Sequence, residues 1–512
     1  MDSAALLPSL AKFQRSFAGL MQREPMAIKT LHLTNAFHTH SGGISTFYMA
    51  MLHMANQQQR EMRLIVPGAE DRVEQVGRYG RIYTVSAPRA PFYGTYRCLY
   101  PTQYLYPENT IRRILREERP DVIEICDKYN LQYLGGMVRE RLLGDPDFRP
   151  LMLGLSCERM DENVAVYVGN SAFHRAFCRW YMHWIYFPFF DHHIAVSEHA
   201  ASELVAASRR HAVRRGIWIR PMGVDVTRFS PDRRSAAMRQ HLLQKSNGGP
   251  DTLLLLYAGR LAPEKNLPLL IEMMSSLEHD HTRDYRLILV GDGIQRERLE
   301  QLTTRQAPGR VYFVDHITDR ERLAEVYASC DLFVHPNPRE PFGIAPLEAM
   351  ASGLPLVAAN SGGITSFASE ANAWLAEPTA VAFAAAVRHA FQDHGARLAR
   401  VREGLATALA HRWDCAALAY FSLYDAIHAE FRAADTLAGF PPYAWSTPAT
   451  NYADAVIAAS SALAQTFFRA VVRFGLQSPG SKIPSPRYVQ MVPSVTGREE
   501  KSAVTLHPRR AD

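Results

Sequence analysis

Short apolar runs alternate with helix-period stretches from Thr30 to Ala358, and the alternation starts over once. The first series of strand candidates is Thr30–Asn35, Arg63–Pro67, Arg81–Ser86, Asp121–Cys126, Leu151–Leu155 and His192–Ser197. The second is Leu253–Tyr257, Tyr285–Val290, Val311–Val314, Leu332–His335 and Pro355–Ala358. Helical segments fall between them, as at Ile111–Glu118 and Leu267–Leu277. Strands alternating with helices predict an α/β fold, with parallel sheets covered by helices on both faces. The break between the series falls at Arg220-Pro-Met-Gly-Val-Asp225, where Pro and Gly punctuate the chain. The expected division is a leader over 1–27, α/β domains over 28–220 and 221–415, a helix over 416–435 returning to the first lobe, and a basic tail of low order over 436–512.

A chain of 512 residues allows two or three domains. Apolar residues at 47% and charged residues at 21% exclude disordered and fibrous classes. No uncharged apolar run reaches the ~18 residues of a membrane span. Leu6, Leu10, Phe13, Phe17 and Leu20 recur at helical spacing in the leader, without a signal-peptide pattern. The net charge of +6 is uneven. Residues 1–225 hold 27 basic and 22 acidic side chains, residues 226–435 hold 22 and 25, and residues 436–512 hold 8 and 4. No basic stripe argues for nucleic acid. Six scattered cysteines without a C-x-x-C pair give neither a disulfide framework nor a zinc site, so the expected compartment is a reducing cytoplasm.

Chemistry concentrates in the second series. Glu340-Pro-Phe-Gly-Ile-Ala-Pro-Leu-Glu348 sets two carboxylates around a glycine turn that opens a helix. Pro346 suits the first helical turn and Gly353 the stop. The unpaired N–H groups at such a helix start attract an anion. Glu340 can face that ligand, and Glu348 can accept hydrogen bonds from a ribose diol. Two isolated glutamates eight apart are more often only surface residues. However, Arg260 and Lys265 lie on one loop after strand Leu253–Tyr257, where open α/β sheets bind ligands. Two cations there suit a diphosphate. Gly291-Asp-Gly293 closes the next strand.

In this order and spacing, Gly259-Arg-Leu-Ala-Pro-Glu-Lys-Asn266, Val290-Gly-Asp-Gly293 and Glu340–Pro355 resemble retaining glycosyltransferases of family four. Arg220–Phe229 resembles that family's interdomain signature, Ser361-Gly-Gly-Ile364 its sugar-side loop and Trp413-Asp414 its late helix. The resemblance covers roughly residues 28–430. It implies a GT-B fold, two Rossmann-like doubly wound lobes facing across a cleft, with the acceptor on the first lobe and the donor on the second. It implies a hexosyltransferase that needs neither metal nor cofactor. Arg260 and Lys265 would hold the donor diphosphate, Glu348 the ribose and Glu340 the sugar hydroxyls. The backbone at Phe342, Gly343 and Ile344 would meet sugar and phosphate, and Gly42 and Gly43 would lie under the diphosphate. Asp145-Pro-Asp147 reads as a turn.

The first lobe departs from the family. Relatives carry His-x-His-Glu or His-x-His-Asp after the fourth strand, whereas this chain has Glu124-Ile-Cys-Asp-Lys128. A subgroup resembling phosphatidylinositol mannosyltransferases has Glu-Val-Ser-Asp-Arg there and Ser-His-Glu-Arg-Leu-Asp further on. Ser156-Cys-Glu-Arg-Met-Asp161 is similar to the latter, with Cys157 in the histidine's place. Asp127 and Glu158 are then the candidates to orient the acceptor hydroxyl or take its proton, against a purely structural polar network. His38 and His40 are lesser candidates, and Cys157 reads as a buried inert thiol. The resemblance implies a GDP-mannose or UDP-hexose donor and a lipid-linked or saccharide acceptor, in glycolipid or polysaccharide biosynthesis. Phe173–Trp184 is rich in aromatic and basic residues, which suits an anionic bilayer. It stands against a core-facing helix, and Ala455–Leu476 is a second weak anchor. The expected place is the cytoplasm, peripheral at the inner face of the plasma membrane. The rival readings are a degenerate enzyme that binds a nucleotide-sugar and regulates a partner, and a sugar-nucleotide epimerase.

Overall fold

A computed structural model describes residues 28–38, 42–90, 93–145, 147–208, 216–278 and 283–437. The leader at 1–27, the tail from 438 with its Ala455–Leu476 patch, and His40 lie outside the described residues.

The first sheet has eight strands. These are β1 (Thr30–Thr34), β2 (Met62–Gly68), β3 (Arg72–Val76), β4 (Gly80–Ser86), β7 (Val122–Cys126), β8 (Leu151–Ser156), β9 (His192–Ala195) and β10 (Ile217–Ile219). Between β4 and β7 a separate hairpin forms from β5 (Arg89–Ala90) and β6 (Tyr93–Arg97). The sheet order is β10-β9-β8-β7-β1-β2-β4-β3. Central β1 pairs in parallel with β2 and β7, Thr30 standing beside Met62 and Val122, and every β1 residue is buried. Helices on both faces demand that burial. Edge strand β3 is the antiparallel one, and it carries Arg72 and Glu74 into solvent. Charges there protect an open edge from pairing with another chain.

The second sheet runs β13-β12-β11-β14-β15-β16, parallel throughout. Its strands are β11 (Leu253–Ala258), β12 (Tyr285–Val290), β13 (Val311–Val314), β14 (Leu332–His335), β15 (Leu356–Ala359) and β16 (Trp374–Ala376). The expected strands all form. Four elements lacked a readable signal: β3, whose polar alternation marks no buried face, the short β10 and β16, and the hairpin.

The chain crosses between the lobes twice. The outward crossing passes Val224 and the return crossing passes His411–Trp413. The two lie side by side, with Val224 N–H donating to His411 (2.9 Å) and Trp413 N–H donating to Val224 (3.2 Å). After the return, a 25-residue helix (Trp413–Leu437) runs back over the first lobe. Its anchor is Glu124 on β7, which is fully buried. Tyr424 Oη donates to Glu124 Oε2 (2.5 Å), Tyr48 Oη donates to Oε1 (3.3 Å), and His32 Nδ1 lies 2.9 Å from Oε1. Burial and the neighbouring carboxylate push the Tyr424 hydroxyl well above its usual pKa, so it stays a donor. Arg60 grips Asp425 on the same helix, and Tyr420 Oη donates to Arg220 O (2.8 Å).

A buried carboxylate is stable only while its lone pairs are occupied. Replacing Tyr424→Phe removes one donor to it. The expected cost is about 1.5–3 kcal/mol, the range for hydrogen bonds to charged groups, read as a lower urea midpoint. An unchanged midpoint would show that the helix is held by packing alone.

Candidate active site in the interlobe cleft

Parallel strands leave their carboxyl ends, and the loops beyond them, free to bind ligands. Both sheets turn those ends toward one cleft of about 1870 Å³. Asn35, Asp127 and Cys157 line it from the first lobe, and Gly259, Gly291 and Asn337 line it from the second. A small-ligand pocket is typically about 300–1,000 Å³, so this cleft has room for two substrates at once.

Two helices open onto the centre. The first-lobe helix Gly42–Gln57 starts at the glycine pair, and the second-lobe helix Ile344–Ala351 starts after Gly343. A Cβ on Gly43 would stand 3.7 Å from Ile344 Cδ1, so the two starts face each other across the cleft. Gly343 has φ +108°, a backbone that L side chains rarely adopt. No side chain caps this start. Both helix starts direct N–H groups and positive dipole ends into the same space.

The expected donor-side residues gather there with their charges already matched. Lys265 Nζ bonds Glu340 Oε2 (2.8 Å), Asn337 Nδ2 donates to the same oxygen (2.9 Å), and His335 Nε2 lies 3.2 Å from it. Burial opposes ionisation of Glu340, but the Lys265 ammonium and His335 outweigh it and hold the carboxyl well below its usual pKa. Arg260 Nη2 bonds Glu264 Oε1 (3.0 Å). Glu348 is buried and takes hydrogen bonds from Arg320 and from Tyr327 Oη (3.2 Å). The expectation of two cations presented to a diphosphate is therefore modified: each of them faces a carboxylate. The helix starts add a positive field to that of the cleft's side-chain cations.

The Ser361–Ile364 loop braces the Glu340 segment. Gly363 N–H donates to Glu340 O, and a Cβ on Gly363 would stand 1.9 Å from Pro341 O. Ser197, from the first lobe, donates to that same Pro341 carbonyl (2.5 Å).

In the first lobe the two expected carboxylates differ. Asp127 Oδ1 accepts the backbone N–H groups of Tyr129, Asn130 and Leu131, and Oδ2 accepts Asn35 Nδ2 (3.1 Å). These bonds shape the loop after β7, which is the structural alternative weighed for it. Glu158 Oε2 accepts Asn163 Nδ2 (2.8 Å). Burial raises the Glu158 pKa, only partly offset by Lys128 and Asn163. Lys128 is itself buried against Glu203 (2.6 Å). Burial, then a hydrogen bond with Cys126, pushes the Cys157 thiol well above its usual pKa, as an inert thiol requires. His38 lines the cleft, its ring edge-on to Tyr96 at 4.3 Å. Sequence reasoning missed Arg320, Tyr327, His335 and Asn337 around the glutamates, because nothing local marks them. It also missed Glu264, although that residue sits inside a motif it had singled out.

Residues 239–404 match the family model "Glycosyl transferases group 1". The GDP-mannose-dependent alpha-(1-6)-phosphatidylinositol dimannoside mannosyltransferase of Mycobacterium tuberculosis is 29% identical over 417 residues, covering 80% of this chain and 99% of that protein. A GDP-mannose-dependent alpha-mannosyltransferase of the same species is 29% identical over 340 residues, covering 66% of this chain and 80% of its own. Among solved structures, sucrose-phosphate synthase from Thermosynechococcus elongatus superposes with a TM-score of 0.63 at 21% identity, over 78% of this chain and 100% of that one. That likeness establishes the shared two-lobe GT-B fold.

Removing Lys265 leaves Glu340 buried without its counter-ion. Lys265→Ala is expected to lower stability by about 3–5 kcal/mol, and Lys265→Ala with Glu340→Gln by clearly less. Urea midpoints of the four proteins in this cycle measure the coupling, and additive losses would refute it. Because the folded-state pKa of Glu340 is depressed, the pair's contribution is full above the ordinary carboxylate range. It disappears as pH falls through the depressed value.

Proposed function

Since the chain belongs to the group 1 glycosyltransferases, we propose that it moves a mannosyl group from GDP-mannose to a lipid-linked saccharide acceptor, with retention at the anomeric carbon. The chain is a GT-B hexosyltransferase, and the proposal concerns its donor, its acceptor and its residues. The carrying observation is the Lys265–Glu340 pair, beside the helix start at Gly343 in a cleft roomy enough for two substrates. The likeness to a GDP-mannose-dependent protein over nearly that protein's full length supports the donor and the glycolipid class of acceptor.

The proposed arrangement places the diphosphate between the helix starts at Gly42–Gly43 and Gly343–Ile344, with Arg260 and Lys265 beside it. Charge that develops on the departing diphosphate meets N–H groups already aimed at it, so little reorganisation is needed. Glu340 holds sugar hydroxyls as an ionised acceptor, which its depressed pKa ensures. Glu348 receives the ribose diol, with Arg320 fixing its rotamer. Glu158, rather than the fully engaged Asp127, takes the proton of the acceptor hydroxyl. Its burial-raised pKa moves it toward the operating range of a general base. No metal-dependent step is needed, because the leaving charge is met by backbone dipoles and cations.

Transfer from a panel of nucleotide-sugars, with radiolabelled product separated from donor, tests the reading. Glu340→Ala and Arg260→Ala should each lower kcat/KM by 10²-fold or more, in line with loss of transition-state electrostatics. Glu158→Gln should abolish the acid limb of the pH profile, which lies above the ordinary glutamate value of about 4.3 because the raised pKa keeps the base protonated longer. Full turnover in the Glu340 and Arg260 variants would end the assignment. Nucleotide binding by the wild type without transfer or donor hydrolysis would favour the regulatory binding protein instead.

A lipid-linked acceptor calls for contact with a bilayer. No helix of the described residues is long and apolar enough to cross a membrane. The helix Ala172–Tyr181 and the turn after it expose Phe173 (74%), Trp180 (48%) and Trp184 (48%) at helical spacing, flanked by exposed Arg175 and Arg179. Exposed aromatics beside cations fit the interface of an anionic bilayer. This surface borders the acceptor side of the cleft through helix Met160–Tyr167, whose Val166 and Tyr167 line it. A triple Phe173→Ser, Trp180→Ser, Trp184→Ser protein should lose sedimentation with phosphatidylglycerol vesicles. Unchanged sedimentation would move the contact elsewhere.

A further inference from the structure

We propose that Tyr167 and Glu264 are a positioning pair that clamps the lobes together and, by the same contact, sets Arg260 for the donor diphosphate. The inference rests on the reading of Arg260 as a diphosphate ligand.

Tyr167 ends the first-lobe helix Met160–Tyr167, and Glu264 lies in the short turn Pro263–Lys265 of the second lobe. The Tyr167 hydroxyl donates to Glu264 Oε2, and Arg260 Nη2 bonds the other oxygen at 3.0 Å. One carboxylate therefore joins a residue of the facing lobe to the expected diphosphate ligand. Arg260 also hydrogen-bonds the Tyr96 hydroxyl, which the first lobe supplies from strand β6 of its hairpin. The guanidinium of the second lobe is thus held by two separate elements of the first, once directly and once through Glu264.

The local backbone explains how adjacent residues divide the work. The Pro263–Lys265 turn ends at Asn266, whose backbone is left-handed (φ 54°). Within it Lys265 bonds Glu340 in the sugar site, while Glu264 bonds Tyr167 across the cleft. The Glu264 side chain is 14% exposed. A charge-assisted bond in such a sheltered place is stronger than one in water. The hydroxyl reaches Glu264 only when the lobes are close, so the bond forms with closure. Because Glu264 also orients Arg260, closure and alignment of the guanidinium become one event. Ser197 and Pro341 supply a second interlobe contact, at the Glu340 segment.

Tyr167→Phe removes one hydroxyl and leaves the donor lobe intact. X-ray scattering of the nucleotide-free protein should show a larger radius of gyration for Tyr167→Phe and for Glu264→Gln than for wild type. Transfer assays should show kcat lowered about tenfold in each, the smaller end expected for losing a hydrogen bond to a charged group. The GDP dissociation constant by calorimetry should rise for Glu264→Gln, which loses the ion pair that orients Arg260, and stay within about threefold of wild type for Tyr167→Phe, which keeps that pair. The double variant should be no slower than the slower single one, since both break one contact. A radius of gyration equal to wild type, an unchanged kcat, or losses that add in the double variant would each overturn the pair. If wild-type protein transfers sugar from no donor, the function reading falls, and the scattering comparison still decides the clamp.

Discussion

The docking of the last helix on the first lobe centres on Glu124. A carboxylate sealed in the centre of a parallel sheet would be intolerable alone. Here His32 and Tyr48 from the first lobe and Tyr424 from the last helix surround it. Tyr424 arrives from 300 positions later in the chain, after the whole second lobe has been built. The polar centre of one sheet is thus complete only when the end of the fold docks on it. Burial of apolar area alone could seat that helix in several registers. A specific hydroxyl on a specific carboxylate selects one, reinforced by the largely buried Arg60–Asp425 pair.

In the cleft, backbone dipoles stand beside side-chain charges that are largely paired. The second lobe is slightly acidic, and its two prominent cations are matched by Glu340 and Glu264. A site built from free lysines would attract any anion. Here the starts of two opposed helices face the cleft, and the ion pairs fix where side chains point. Positioning of this kind is most of what such a transfer needs.

Much of this was legible in the chain. Strands buried on both faces announce themselves as apolar runs, which is why β7, β11 and β12 stood out. The glycine at 343 and the Glu340–Glu348 spacing marked a helix start with carboxylates around it. What escaped notice depends on contacts between distant segments. No local pattern tells that Arg320 will lie on Glu348, that Tyr167 will reach Glu264, or that Asp127 will be absorbed by three backbone amides. Edge strand β3 escaped for the opposite reason: its charges, which protect it from aggregation, erase the hydrophobic signature of a strand.

The two crossings between lobes lie side by side and hydrogen-bond through Val224. A single connecting strand would act as a swivel, free to bend and to twist. Two crossings tied by a pair of hydrogen bonds at Val224 resist twisting, because rotation would shear those bonds. They still permit bending about the axis that runs across both. The lobes are therefore mounted like a door on a paired hinge, with one easy direction of travel. Opening and reclosing along a single path returns the same residues to the same partners, so substrates can enter and leave without the fold having to search again for its register.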